Sequence, residues 1–378
     1  MSAITSPRPQ NKIAHPLVLV VTGLLVVLGL VAWALQLRGG MGTTSLSNLN
    51  TWGVYIAGFI FFMGLSAGSL VLAALPILFN MPRFRPYSKL ATFVALISLI
   101  VAGLFILVDI GRPERLWRIA RFGQLSSPML WDLLLTVAYF IIATVFLRRL
   151  MTAKSDENLK VVAWVALIAG VADGITAFVF ATQIGREFWF SAVQPIAFFT
   201  AALASAGAML LLLLVILKAA GYSVLDSRDL NPLAGLTAAT LTLGLLLLVS
   251  EIVTLSFTRS ATAMALVNSM LTSPLFWIEV VTGLVAIVLL VLPVTRKSSG
   301  WVAAASLIAL VHLAVKRVVF VRTGFSVPNI DYAGVALAPS AGYAPNLVEW
   351  GIMIGLTGLF LFLLALGFRA LRLAPQPE

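Results

Sequence analysis

Ten stretches of the chain are almost continuously apolar, and short polar segments separate them. They lie at about residues 16–37, 54–79, 90–108, 129–147, 161–184, 193–217, 233–257, 275–294, 301–319 and 347–371. A helix rises 1.5 Å per residue, so ~20 apolar residues cross the ~30 Å hydrocarbon core of a bilayer. Each run is therefore predicted to span a membrane, and the fold class is an all-α integral membrane protein with about ten transmembrane helices. Barrel strands would instead show short segments of alternating polarity. The first run is longer than a signal-peptide core, and "LQLRGG" after it offers no small-residue cleavage site, so it is expected to remain as a spanning helix.

The chain also resembles itself. "QLSSPMLWDLLLTVAYFI" at the start of the fourth run returns as "MLTSPLFWIEVVTGLVAI" at the start of the eighth, which aligns Ser127, Pro128, Trp131 and Asp132 with Ser273, Pro274, Trp277 and Glu279. "WGVYIAGFIFFMGLSAGSLVL" in the second run is echoed more weakly in the sixth. Four helices separate the copies, so both have the same orientation across the membrane, a parallel repeat. Runs 2–5 and 6–9 are then two four-helix bundles, with the first and last runs peripheral. The expected divisions are 1–50, 51–185, 186–322 and 323–378. Gly64 and Gly68, and Ser205, Ala206 and Gly207 in the second copy, supply small surfaces for close helix approach.

Composition agrees: 61% of the 378 residues are hydrophobic and 10% are charged, far from the balance of a soluble domain. Cysteine is absent, which excludes disulfides, iron–sulfur clusters and c-type haem in this chain. The two histidines, His15 and His312, fall at opposite depths, so neither an axial pair for b-type haem nor a metal site is expected.

The net charge of +11 follows topology rather than nucleic-acid binding, because Lys and Arg occupy the short connections. With both termini inside, 15 of the 25 positive residues fall on inner segments. The outer exceptions cluster after the third run and around the ninth. The first of these is "DIGRPERLW", residues 109–117. Gly111 and Pro113 cannot continue a helix, and Pro113 suits the first turn of a new one. Residues 113–122 are expected to form a short interfacial helix with Leu116, Trp117 and Ile119 on one face and Arg115, Arg118 and Arg121 on the other. Asp109, Asp132, Glu251, Glu279 and Glu349 all fall in the outer half, whereas Asp173 lies near the middle. Acids at membrane depth are expensive and usually functional. The alternatives are lipid anchoring for the arginines and structural ion pairing for the acids.

These motifs resemble those of the NrfD/PsrC-like membrane subunits of respiratory oxidoreductases, which include polysulfide reductase and the hydrogenase and alternative complex III anchors. The resemblance rests on "DIGRPERLW", "TWGVYIAGFIFFMGLSAG", "SSPMLWD" and "GYAPNLVEWGIMIG", and covers runs 2 to 10. It implies a membrane anchor subunit in a prokaryotic inner membrane, without haem or cluster of its own, that binds menaquinone or ubiquinone near the outer face. It also implies exchange of electrons with a ferredoxin-like iron–sulfur subunit, which serves a catalytic subunit, a molybdopterin oxidoreductase first and a hydrogenase second. Carried over, the quinone neighbourhood would comprise Trp52, Tyr55, Asp109, Arg112 and Asp132. Some relatives place a histidine near the start of the second run, and none occurs here between Asn48 and Met63.

Quinol oxidation releases two protons with two electrons, which calls for a base beside the hydroxyl and a donor to the other oxygen. Asp109 and Asp132 are the candidate bases. Arg112 either holds Asp109 ionised or donates to the carbonyl. Asp173, Glu251 and Glu279 are candidates for a proton path. Arg115, Arg118, Arg121 and Arg322, with Lys316 and Arg317, are candidate contacts to a partner or to lipid, and the Gly/Pro-rich segment Thr323 to Asn346 is a candidate cover. A proton- or anion-coupled secondary transporter is the alternative, since parallel repeats with buried acids occur there too.

Overall fold

The computed structural model describes residues 15–152, 156–221, 229–327, 343–371 and 373. The helices are α1 (Pro16–Gly39), α2 (Val54–Leu78), α3 (Ser88–Asp109), α4 (Trp117–Phe122), α5 (Pro128–Thr152), α6 (Asp156–Ala172), α7 (Thr176–Ala181), α8 (Gln194–Ala219), α9 (Asn231–Thr258), α10 (Ala261–Leu271), α11 (Pro274–Val291), α12 (Pro293–Arg296), α13 (Ser299–Gly324) and α14 (Leu347–Ala370). Among the described residues ten spans are long and apolar enough to cross a membrane, one of them built from α6 and α7. The protein is an all-α integral membrane protein.

Helix starts follow local chemistry. Proline, whose missing N–H is an orphan donor in a first turn anyway, opens α1, α8, α9 and α11. α14 opens with a capping box, in which the Asn346 side chain accepts from the Glu349 backbone N–H and the Glu349 carboxylate accepts from that of Asn346.

Helix α2 is the axis. Its apolar span is 89% buried, because α3, α6, α8 and α13 all pack on it. The spans of α1 and α5 are each only 17% buried and turn leucine, valine and phenylalanine side chains towards lipid. The same four pairings occur twice: α2 with α3 and α6, and α5 with both of these; then α8 with α9 and α13, and α11 with both of these. The two sets join through α2–α8 and α2–α13, while α14 packs on α3 and carries α1. Two backbone approaches make these joints. A Cβ at Gly68 would lie 2.1 Å from the Ala202 carbonyl oxygen of α8, and one at Gly355 would lie 2.2 Å from the Gly29 Cα of α1. Only glycine fits at either crossing.

Several expectations change. The interfacial helix over 113–122 is a 3-10 turn, Pro113–Arg115, followed by the six residues of α4. Trp52 precedes α2 rather than lying on it. The fifth span is not continuous: a 3-10 turn at Asp173–Ile175 breaks it. α10 was not foreseen, although Ala263, Leu266, Val267 and Met270 recur at helical spacing and are buried. Arg317, expected as a partner or lipid contact, is 4% exposed, since α13 turns it inward against α2 and α8. Most of the proposed cover, residues 328–342, lies outside the described residues, as do both termini.

Candidate functional site

The carboxylates singled out from sequence lie towards one end of the bundle, most of them in two groups, with an aromatic layer between. The first group forms where α1, α2, α3 and α14 meet. Tyr55, fully buried on α2, donates its phenol O–H to Gln36 Oε1 at the end of α1 (2.7 Å), and Gln36 Nε2 donates to the Val108 carbonyl (2.9 Å). This pair holds the last turn of α3 in place. The next residue, Asp109, lies within electrostatic reach of Tyr55 and Glu349. Its Oδ1 is buried without a hydrogen-bond partner among the described residues. Gly111 then takes φ +69°, a left-handed conformation natural to glycine, and the chain turns away into the exposed arginine segment.

Glu349 closes this group. Beyond its capping bond it accepts from the Ser45 N–H (2.9 Å) and from the Tyr343 O–H (2.5 Å), and Tyr343 Oη accepts from the Val54 N–H (3.0 Å). Burial first, and then the bond to Glu349, raise the Tyr343 phenol above its ordinary value. Among the described residues Glu349 is therefore a hub for hydrogen bonds rather than an ion-pair partner.

The second group lies among α8, α9, α11 and α13. Glu251 accepts from Gln194 Nε2 (2.8 Å), and Glu279 pairs with Lys316 (3.2 Å). His312 Nδ1 meets the Glu279 carbonyl (2.8 Å). Because a carbonyl only accepts, Nδ1 carries the proton. Arg317 lies 4.3 Å above the Phe198 ring. Gln194, Glu251, Glu279, Lys316 and Arg317 border a cleft of about 510 Å³ including its open mouth, walled by Phe188, Phe198, Phe320 and Met270.

Two further carboxylates lie between the groups. Asp132 accepts from Thr176 Oγ1 (2.5 Å). Asp173, at the break in its span, is 4% exposed and has both oxygens unpartnered among the described residues. It borders a smaller void that Arg317 also lines. Nearby, Tyr139 and Ser66 hydroxyls share a 2.9 Å bond. The aromatic layer consists of Trp52 stacked on Trp189 (5.4 Å), with Phe320 stacked on Trp189 in turn and Phe180 and Phe325 meeting both tryptophans by their edges. Arg186 lies 4.4 Å above the Phe325 ring and donates to the Gly324 carbonyl. Burial lowers its guanidinium from the usual arginine range.

Of the residues singled out from sequence, Tyr55 and Asp109 are thus brought together, with Glu349. Arg112 is exposed and makes no ion pair with Asp109 among the described residues, because Gly111 turns the chain outward between them. Trp52 is committed to its aromatic stack, and Asp132 to Thr176. Arg115, Arg118, Arg121 and Arg322 are exposed at the same end, with Arg118 over Trp117 and Arg121 over Phe122. Gln36, Gln194, Arg186 and Tyr343 were not singled out. Gln36 and Gln194 are isolated amides beside long apolar runs, a signal of a buried hydrogen bond that charge-based reading passes over.

Residues 42–329 match the family model described as polysulphide reductase, NrfD. The chain is 30% identical to a putative dimethyl sulfoxide reductase membrane subunit of Halobacterium salinarum, over 93% of this chain and 90% of that one. It is 26% identical to a selenate reductase subunit of Mesobacillus selenatarsenatis, over 92% and 91% of the two chains. It is also 26% identical to an Hdr-like menaquinol oxidoreductase integral membrane subunit of Archaeoglobus fulgidus, over 97% and 95%. A model match over most of the chain, on a frame of ten spans, makes this protein a member of the NrfD, polysulphide reductase, family.

Proposed function

We propose that the chain is the membrane anchor of an oxidoreductase complex and binds a quinone or quinol beside Asp109. The observation that carries this is the Asp109 carboxylate, buried at the end of α3 with an unpartnered oxygen and with Tyr55 in reach. Buried polar atoms are nearly always satisfied, so an oxygen left open there suits a hydroxyl supplied by a ligand. The relatives named as reductase membrane subunits support the anchor role, and the one named for menaquinol supports a quinone as the small molecule.

A quinol brings two hydroxyls and two electrons. In this reading Asp109 accepts the proton of one hydroxyl. The opposite hydroxyl lies towards Tyr55, whose own O–H is held by Gln36 and whose oxygen accepts a hydrogen bond from that hydroxyl; its proton follows through Asp109 once the first has passed to the outer surface. Glu349 and Tyr343 tie the α1–α2 connection to α14, which keeps water from the group. Electrons leave to an iron–sulfur subunit docked near Arg115, Arg118, Arg121 and Arg322, and onward to a catalytic subunit. Asp173, Glu251 and Glu279 are the proposed proton path, with Arg317 bordering the voids that serve both Asp173 and the pair. The excess of positive charge at the opposite end favours an inner membrane with that end inside. A carrier would be expected to bind near mid-depth, where Asp173 alone lies.

Asp109→Asn tests the reading. Asn keeps the size and cannot take a proton, so quinone-linked turnover per assembled complex is expected to fall about a hundredfold or more with assembly intact. Turnover near that of the unaltered protein would remove Asp109 from the role and leave Asp132 as the next base.

A further inference from the structure

At the end of the bundle opposite the carboxylates, two voids adjoin. One is an apolar crevice of about 700 Å³, including its open mouth, between α2 and α3 on one side and α8 and α9 on the other. Leu72, Leu75, Ala91, Leu214 and Leu233 are among its lining residues. The other is a void bordered by the polar side chains of Asn80, Arg85 and Lys160 together with Pro76, Ile77, Met81 and Pro82. They share Pro76 and Met81, so the cationic void opens beside the apolar one. Asn80 adopts φ +52°, a conformation asparagine tolerates better than most residues, in the connection that forms the polar wall.

Three observations point to one ligand chemistry. First, two cationic side chains, Arg85 and Lys160, border the void at the end of the spans, where a lipid headgroup would lie. Second, the crevice is not uniformly apolar: Ser88 lines it, is 1% exposed, and its Oγ has no hydrogen-bond partner among the described residues. Such an atom is left open for a ligand acceptor or donor. Third, the 3-10 turn Arg85–Tyr87 runs directly into α3, and α9 begins at Asn231 beside the same crevice. Of the two, α9 presents a helix N-terminus whose free N–H groups and positive dipole favour an anion, whereas at the start of α3 the N–H groups of Phe84, Arg85, Tyr87 and Ser88 are taken by the preceding turn. The Arg83–Asp229 ion pair (2.6 Å) ties the two connections across the mouth.

We propose that this end of the protein holds one anionic phospholipid, its phosphate at Arg85 and Lys160, its glycerol ester oxygens at Ser88, and one acyl chain in the crevice between the two halves. Basic pockets between transmembrane helices bind acidic headgroups in this way. The crevice separates α3 from α9, the corresponding helices of the two copies, so the lipid fills a seam that the repeat leaves open. The proposal is independent of the quinone reading, because none of its residues belongs to the Asp109 group.

The test is native mass spectrometry of the purified chain from nanodiscs of phosphatidylcholine containing a minority of phosphatidylglycerol. One phosphatidylglycerol per chain should be retained. Retention should fall about tenfold or more in the Arg85→Gln/Lys160→Gln double variant and persist in Arg85→Lys. It should also fall in Leu214→Trp, which fills the crevice without touching the charges; thermal unfolding of each variant shows that it is folded. Arg148→Gln/Arg149→Gln, at the same end but away from the crevice, should retain lipid as the unaltered protein does. Equal loss in that control means general surface attraction and overturns the site. Displacement by glycerol 3-phosphate at equal headgroup concentration, or retention unchanged in Leu214→Trp, overturns the acyl-chain assignment. So does equal retention of phosphatidylcholine.

Discussion

The two copies of the four-helix unit share a frame and differ in how they treat their acids. In both, the tryptophan at the start of the third helix donates its indole N–H to a carbonyl six residues back: Trp131 to Leu125 and Trp277 to Leu271, each at 2.8 Å. In both, a short helix precedes it, α4 or α10. Beyond that they diverge. The second copy holds Glu279 with the Lys316 ammonium and packs α10 by its apolar face. In the first copy no cation neighbours Asp109 among the described residues. Its surroundings are the Tyr55 phenol of its own copy, held by Gln36 from α1, and a second carboxylate, Glu349, supplied by α14 from outside the repeat. A frame that buries apolar surface can be copied whole, whereas the reactivity of an acid depends on the few groups brought against it. At the aligned position Glu279 is held by an ion pair and Asp132 by the Thr176 hydroxyl, while Asp109, which has no acidic counterpart in the second copy, keeps an oxygen open.

The strongest way to break this comparison is to make the second copy resemble the first. Lys316→Met leaves Glu279 buried without its cation, which should destabilise the protein by about 3–5 kcal/mol. The measurement is thermal unfolding in detergent, and adding Glu279→Gln should restore most of the loss. If Lys316→Met alone is neutral, the ion pair is not what distinguishes this copy.

A smaller effect is expected at the joint that completes the first copy. Gly355→Leu forces α14 away from Gly29 on α1, and overpacking of this kind costs about 1–3 kcal/mol. Because α1 carries Gln36, proteolytic sensitivity near Thr43 should rise together with the loss of stability. A stable variant with an unchanged digestion pattern would show that α1 is not held at this crossing.

The shared frame is tested by Trp131→Phe and Trp277→Phe, each removing one indole hydrogen bond worth about 0.5–1.5 kcal/mol. Equal losses in unfolding free energy support equivalent frames, and losses differing severalfold would separate the copies. The smallest expected effect is at Tyr343. Its phenol is raised above the ordinary ~10, so the folded state keeps a proton that the unfolded chain releases. That contribution is present below pH ~10 and lost as pH rises beyond it. Tyr343→Phe should flatten the alkaline decline in unfolding temperature, and an unchanged slope would mean that Tyr343 contributes nothing to it.

Spans and repeat were legible because they depend on properties each residue carries alone: the length of apolar runs, the absence of charge, and the recurrence of Ser-Pro and Trp with an acid. Asp109 and Tyr55 stood out for a similar reason, as polar groups where polarity is expensive. What sequence could not supply was partnership. Arg112 is three residues from Asp109 and does not meet it, since one glycine with positive φ redirects the chain. Glu349 is 240 residues away and does, since α14 packs on α3. Arg317 lies beside Lys316, yet one faces Phe198 and the other Glu279. Apolar length decides which segments enter a membrane, because transfer free energy adds residue by residue. Which charges meet inside is decided by helix crossings, where a few glycines set distances and the ends of four helices share one small volume.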